Sequence, residues 1–335
     1  MMDDARKPSA AFFGRQDSIE AVYAQGRRES IAGMADVFPE IIDLENFDRF
    51  ADALRKVEVI FSTWGMPLLE DRHLDRMPAL KALFYAAGSV RGFAEPLLDR
   101  GITVVSAWQA NAVPVAEFTQ AQILLAAKGY FRNSREFSSP GLFRKAFRGH
   151  GNFGEKVSIL GAGAIGRRLI HLLRPYHLHL LVFDPFLAPR EAAELEVAQV
   201  SLEAAFSEAY VVSNHLANVP ETRGMLHRGL FESMRPGATF INTGRGITVD
   251  EPGMIDVLKR RSDITALLDV TAPEPPVEGS PLYTLPNVHL SSHIAGSIQQ
   301  ERVRMADYCI QDFRAWRHGE QLRYAVSKEM MKTMA

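Results

Sequence analysis

A chain of 335 residues is long for one hydrophobic core and comfortable for two domains. Its 47% apolar and 23% charged residues suit a globular fold, and a net charge of -2 supplies no overall pull toward nucleic acid or an anionic membrane. The single cysteine, Cys309, excludes an intrachain disulfide framework and any multi-cysteine metal site.

The first residues, MMDDARKPSA, are acidic and short, with no apolar run before a cleavage-like site. A cytoplasmic protein with neither leader nor membrane span is therefore expected. Strand candidates follow at 10–14 (AAFFG), 40–44 (EIIDL), 57–62 (VEVIFS), 80–86 (LKALFYA) and 102–107 (ITVVSA). Helical segments such as SIEAVYAQGRRE and FAEPLLDRG separate them, which predicts a parallel sheet with helices on its faces. From about residue 114, PVAEFTQAQILLAAKGYF reads as one long apolar-faced helix, and 132–155 as mostly connecting structure.

A second, sharper alternation then begins, with KVSILG, LHLLVFD, YVVSNH, ATFINTG, ITALLDV and VHLSSH as its strands. It runs to about residue 294. SIQQERVRMADYCIQDFRAWRHG has the periodicity of one amphipathic helix, in which Cys309 reads as a buried thiol. One terminal helix more readily completes an earlier domain than founds a third, so no appended regulatory domain is expected. The prediction is a two-domain α/β protein, with 1–112 and 295–335 forming a smaller domain around a continuous one of 113–294.

VSILGAGAIGRRL places Gly161, Gly163 and Gly166 directly after a strand and at the start of a helix. A three-glycine pattern alone is weak evidence, but this context is the one dinucleotide binding requires. Gly161 can make the tight turn, Gly163 clears space for a pyrophosphate, and Gly166 allows close helix packing. The helix start then offers free N–H groups to the phosphates. Asp184 ends the next strand, 18 residues beyond Gly166, where a carboxylate accepts from an adenosine ribose and repels a 2′-phosphate. NAD is the expected cofactor. Arg167 and Arg168 could offset that repulsion and leave NADPH as the alternative.

Polar residues gather at four later strand ends: SNH (213–215), NTGRG (242–246), LDVTAPEP (268–275) and SSHIAG (291–296). In open parallel sheets, ligands lie outside such carboxyl ends. Arg245, between two glycines, reads equally as a turn cation or as a clamp for a carboxylate. His293 suits acid/base work because histidine changes charge near neutrality, although a helix-start role also fits. Glu274 could pair with its second ring nitrogen. Neither an HExxH pattern nor close three-ligand spacing points to a metal.

Taken in order, GAGAIG with Asp184, HLANVPETRGML, NTGRGITVDEPGMIDVL, ALLDVTAPEP and LSSHIAGS resemble the D-isomer-specific 2-hydroxyacid dehydrogenase family. The resemblance extends back to NAVPVAEFTQAQILL. It implies a Rossmann-type NAD domain beside a flavodoxin-like substrate domain, and a homodimer supported by the helical segment near 114–130. The implied reaction interconverts a small D-2-hydroxy acid and its 2-oxo acid, with members such as glyoxylate/hydroxypyruvate reductases nearest in character. By the same resemblance Arg245 holds the substrate carboxylate, His293 is the acid/base, and Glu274 orients it. Ala164, Ile165, His215 and Thr243 line the cofactor cleft with the glycines, and Asp269 lies on its nicotinamide side. Substrate-side backbone contacts fall on Ala87, Gly88 and Ser89.

Two segments depart from the family pattern. YAAGSVRG stands where Gly-x-Gly and Asp-Asn are common, and its Arg91 reads either as a second anion contact or as a solvated loop residue. SNHLANVPET has Asn214 before His215, where leucine is common, and Ala217 where proline is common. A non-catalytic, NAD-responsive interaction protein on the same fold is the remaining alternative.

Overall fold

The computed structural model describes residues 6–332. The chain packs as two compact units, Met1–Asn111 with Ser297–Ala335, and Ala112–Gly296. Each has its own parallel sheet and apolar core.

In the first unit, β1 (Ser9–Phe13), β2 (Asp36–Ile42), β3 (Val59–Ser62), β4 (Ala82–Tyr85) and β5 (Thr103–Ser106) form a sheet in the order β2-β1-β3-β4-β5. This is the flavodoxin-like order. Its inner strands β3 and β4 are buried along their whole length, as a sheet covered on both faces demands. The strand β2 starts earlier than the apolar run EIIDL suggests, because it includes Pro39. A proline has no N–H to give a ladder, and β2 is an edge strand whose register with β1 shifts between Ala10 and Phe12. The C-terminal helix Val303–Arg317 packs onto this sheet, with the Phe313 ring 5.0 Å from Phe61 and 5.4 Å from Phe84. Burying a phenylalanine of this kind contributes about 2–3 kcal/mol. Cys309 is fully buried in the same helix.

The second unit contains β6 (Lys156–Leu160), β7 (His179–Phe183), β8 (Ala198–Gln199), β9 (Val211–Asn214), β10 (Thr239–Asn242), β11 (Thr265–Leu268) and β12 (Val288–Leu290). Their order is β12-β11-β10-β9-β6-β7-β8, all parallel. The chain leaves β6 toward one edge, then returns to its other side as β9. That reversal is the topological switch point at which doubly wound sheets bind ligands.

The helix expected from about 114 begins at Trp108, runs to Ala127 and holds Pro114 inside it. Gly129, left-handed at φ 73°, ends the run before a separate helix Tyr130–Glu136. A side chain at Gly129 would lie 2.5 Å from the Gly149 nitrogen, so the break also admits a crossing strand of backbone. Among the described residues, no helix is long and apolar enough to cross a membrane.

Candidate active site

The turn after β6 is built by backbone crowding. A Cβ on Gly161 (φ 96°) would lie 2.9 Å from the His215 oxygen, and one on Gly166 only 2.0 Å from the Gly161 oxygen. Gly163 differs, because a Cβ there meets nothing within 4 Å and would occupy open space. The helix Ala164–Leu173 that follows has no side-chain cap, leaving the first N–H groups of Ala164, Ile165 and Gly166 to an outside acceptor. Asp184 accepts from the Ala162 nitrogen through Oδ2 at 2.7 Å and from the Phe186 nitrogen through Oδ1 at 2.8 Å. Each oxygen keeps a further lone pair. An open cradle, an uncapped helix and a carboxylate on the next strand fit a dinucleotide. Arg167 does not serve as a free counter-charge: it donates to the Ala162 oxygen and pairs with Glu191 at 2.8 Å.

His215 follows β9. Its Nε2 is 2.9 Å from Ser213 Oγ and its Nδ1 is 3.5 Å from Thr243 Oγ1, which is itself 2.9 Å from Thr119 Oγ1. Burial pushes the imidazole pKa down to about 3, so the ring is neutral at physiological pH.

Arg245 stands in extended backbone between β10 and the short turn Gly246–Thr248. The loop is wedged: a Cβ on Gly244 would come within 3.0 Å of the Asn214 oxygen, and one on Gly246 within 2.0 Å of the Thr271 backbone. The half-buried guanidinium donates to the Gly244 oxygen at 2.8 Å. Burial lowers its pKa, and the charge of Glu274 opposes that shift.

Glu274 lies in TAPEPP, with cis peptides at Ala272–Pro273 and Glu274–Pro275. Its Oε1 is 2.6 Å from His293 Nδ1. Both side chains are partly exposed. Glu251 accepts from the Ala272 nitrogen at 3.1 Å and thereby ties the loop to the helix Glu251–Arg260; its pKa is raised by burial. Asp269 supports the histidine side of the pair. Its carboxylate, 2% exposed, accepts from Ser291 Oγ at 2.6 Å and from the Ile294 and Ala295 nitrogens at 2.9 Å each. Its own carbonyl accepts from the His293 nitrogen at 3.0 Å. With three donors already aimed at it, Asp269 acts here on the left-handed turn that carries His293 (φ 56°).

The structure thus brings Arg245, Glu274 and His293 to neighbouring strand ends of the second unit. Ala87, Gly88 and Ser89 belong to the first unit, just beyond β4. Ser106 Oγ donates to the Ala87 oxygen at 2.9 Å and to the Gly88 oxygen at 2.5 Å, which shapes this loop. Arg91 donates to the Met331 oxygen at 3.0 Å. Sequence reasoning did not single out Asn242, Thr248 and Glu251. The signal that marks Asn242 is a polar residue closing an apolar strand at the same offset as Asn214.

The family model for the D-isomer specific 2-hydroxyacid dehydrogenase NAD binding domain matches residues 121–295. D-3-phosphoglycerate dehydrogenase of Archaeoglobus fulgidus is 29% identical over 229 residues, which are 68% of this chain. The match spans 44% of that protein's length, less than half. Among solved structures, a phosphoglycerate oxidoreductase from Rhizobium etli aligns with a TM-score of 0.79 at 25% identity, over 96% of this chain and 99% of that one. D-mandelate dehydrogenase of Rhodotorula graminis shares the fold, with a TM-score of 0.80 at 20% identity over 96% and 98% of the two chains. With the matched stretch covering the glycine turn, the Arg245 loop and the Glu274–His293 pair, the chain belongs to the D-isomer-specific 2-hydroxyacid dehydrogenases, and its second unit carries the family's NAD-binding domain.

Proposed function

We propose that this protein interconverts a small D-2-hydroxy acid and its 2-oxo acid, using NAD in preference to NADP. The observation that carries this reading is the 2.6 Å pairing of His293 Nδ1 with Glu274, beside the half-buried Arg245 whose charge Glu274 also meets. Gly161, Gly163, Gly166 and the helix start would hold the pyrophosphate, Asp184 the ribose, and His215 and Thr243 the cleft wall. Bound NADH supplies a hydride equivalent to the 2-oxo carbon.

This chain's residues do the rest. Arg245 holds the substrate carboxylate through its fork of N–H donors, at about 1.5–3 kcal/mol per charge-assisted hydrogen bond. Glu274 accepts from Nδ1–H, which fixes the tautomer and turns Nε2 toward the substrate. His293 Nε2 gives its proton to the carbonyl oxygen as negative charge develops there, and takes it back in the oxidative direction. The first unit serves as substrate domain, with backbone groups of Ala87, Gly88 and Ser89 offered to the acid.

The test is NADH oxidation against glyoxylate, hydroxypyruvate, pyruvate, phenylpyruvate, 2-oxoisocaproate and phosphohydroxypyruvate, repeated with NADPH. Turnover of at least one acid, and a loss of roughly 10²-fold in kcat/KM for Arg245→Ala, is the expected result. NADH binding without turnover of any acid would instead support a non-catalytic, NAD-responsive protein. The exposed apolar side chains Leu125, Tyr130, Phe137 and Phe143 support a homodimer, which sedimentation equilibrium would read directly.

A further inference from the structure

Behind the Arg245 loop lies a layer of polar side chains that the chemistry above does not use. Asn214 closes β9 and Asn242 closes β10, and the two are direct partners across that parallel pair. Asn214, Asn242 and Thr248 are at most 1% exposed. Asn214 Nδ2 donates to Asn242 Oδ1 at 3.0 Å and to Thr248 Oγ1 at 2.9 Å, and its Oδ1 accepts from the Leu216 nitrogen at 3.1 Å. Both its N–H groups and its oxygen are thereby used. The reversed amide would face an N–H toward the Leu216 N–H, so this orientation is the one the network permits.

The next layer touches the loop on both sides of Arg245. Asn242 Oδ1 accepts from the Gly244 nitrogen at 3.1 Å, and its Nδ2 donates to the Arg245 oxygen at 3.4 Å. Thr248 Oγ1 donates to the same oxygen at 2.8 Å. The peptide planes before Gly244 and after Arg245 are therefore held by one connected set of buried groups, whose root is Asn214. Burying an amide and a hydroxyl carries a desolvation cost that an apolar pair of similar shape would avoid. What that cost secures here is the direction of the Arg245 backbone, and with it the direction from which the guanidinium leaves the loop.

We propose that Asn214, acting through Asn242 and Thr248, is a positioning residue that aims Arg245 at the substrate carboxylate. The proposal rests on the function proposed above and makes Asn214 a determinant of substrate binding with no contact to the substrate.

The experiment uses Asn214→Leu, Thr248→Val, Thr248→Ser and the Asn214→Leu/Thr248→Val double variant in the full chain. Five quantities are measured: KM and kcat for the best of glyoxylate, hydroxypyruvate and phenylpyruvate, the NADH Kd, the urea midpoint, and amide exchange of peptides covering 240–250. Asn214→Leu should raise KM roughly 10-fold or more, with a smaller change in kcat, an unchanged NADH Kd and faster exchange at 240–250. Thr248→Ser keeps the hydroxyl and should keep KM. The double variant should keep the raised KM, because the Arg245 oxygen has then lost its hydroxyl donor, even where removing the Asn214–Thr248 pair together recovers part of the urea midpoint. Recovery of KM together with the midpoint, or an unchanged KM in Asn214→Leu, would overturn the proposal. If the wild-type protein turns over no 2-oxo acid, the proposed function fails, and the exchange data still judge the positioning: unchanged protection at 240–250 overturns it, faster exchange supports it. Should Asn214→Leu not fold, Thr248→Val removes the hydroxyl through which Asn214 reaches the Arg245 oxygen and decides the question by the same readouts.

Discussion

At His293, two neighbours divide the work. Asp269 accepts the backbone of 293–295 while Glu274 accepts from the ring, so one carboxylate sets the turn and the other sets the tautomer. Replacing Glu274 with glutamine keeps the shape but offers the ring an amide, which can present a donor where an acceptor is required. Glu274→Gln should lower kcat by roughly 10² or more with the NADH Kd unchanged, as stopped-flow binding and steady-state kinetics would show. His215 yields a prediction about stability. Its folded pKa lies near 3, below the value of about 6.5 for an unfolded histidine. Below pH 6.5 the unfolded chain binds a proton that the folded chain refuses, so the stability present above pH 6.5 falls as the pH drops toward 3. The slope is up to about 1.4 kcal/mol per pH unit. Urea midpoints taken from pH 7 to pH 4.5 should fall less steeply in His215→Gln than in the wild type. Arg245, Glu274 and His293 were legible in the sequence because each is a charged or titratable residue at a strand end. The anchoring role of Asp269 was not, because hydrogen bonds to residues 22 to 26 positions away have no local pattern.

Among the elements, two glycines in the second unit separate a binding role from a packing role. Gly163 has open space where a side chain would stand, at an ordinary negative φ of -75°. Gly163→Ala should leave the urea midpoint unchanged and weaken NADH roughly tenfold, about 1.4 kcal/mol, because the methyl group enters the cradle. Gly246 has the Thr271 backbone 2.0 Å from the same point. Gly246→Ala should cost about 1–3 kcal/mol or more of stability and displace Arg245, seen as a lowered urea midpoint together with a raised KM. Strand positions were legible from apolar runs, since strands buried on both faces need continuous apolar sequence. Element ends were less so. Pro39 hides the start of β2, and β8 is a two-residue exposed pairing with too little apolar signal to register.

The whole molecule comprises two units with separate cores, and the cofactor cradle lies in one of them. In native-state hydrogen exchange, saturating NADH should slow exchange in peptides covering 161–166, 184–187, 213–217 and 242–246. At 100 times its Kd, NADH adds about 2.7 kcal/mol to the folded state of whatever binds it. If Asp184 takes the ribose as proposed, NADPH should produce a smaller effect at equal concentration, because a carboxylate there repels a 2′-phosphate and Arg167 is already engaged by Glu191. Equal protection by the two nucleotides would remove Asp184 from that role.

The sequence by itself determined the α/β class, the glycine turn with its following helix, and the order of the strand ends that carry Arg245, Glu274 and His293. These are properties of local periodicity and spacing. Only the tertiary structure decided that Asn214, Asn242 and Thr248 meet behind Arg245. It also decided that Asp269 spends its carboxylate on the turn bearing His293. The physical reason is common to both. Burial makes each polar group find a partner, and which partner it finds depends on strand order, a relation between residues far apart in the chain.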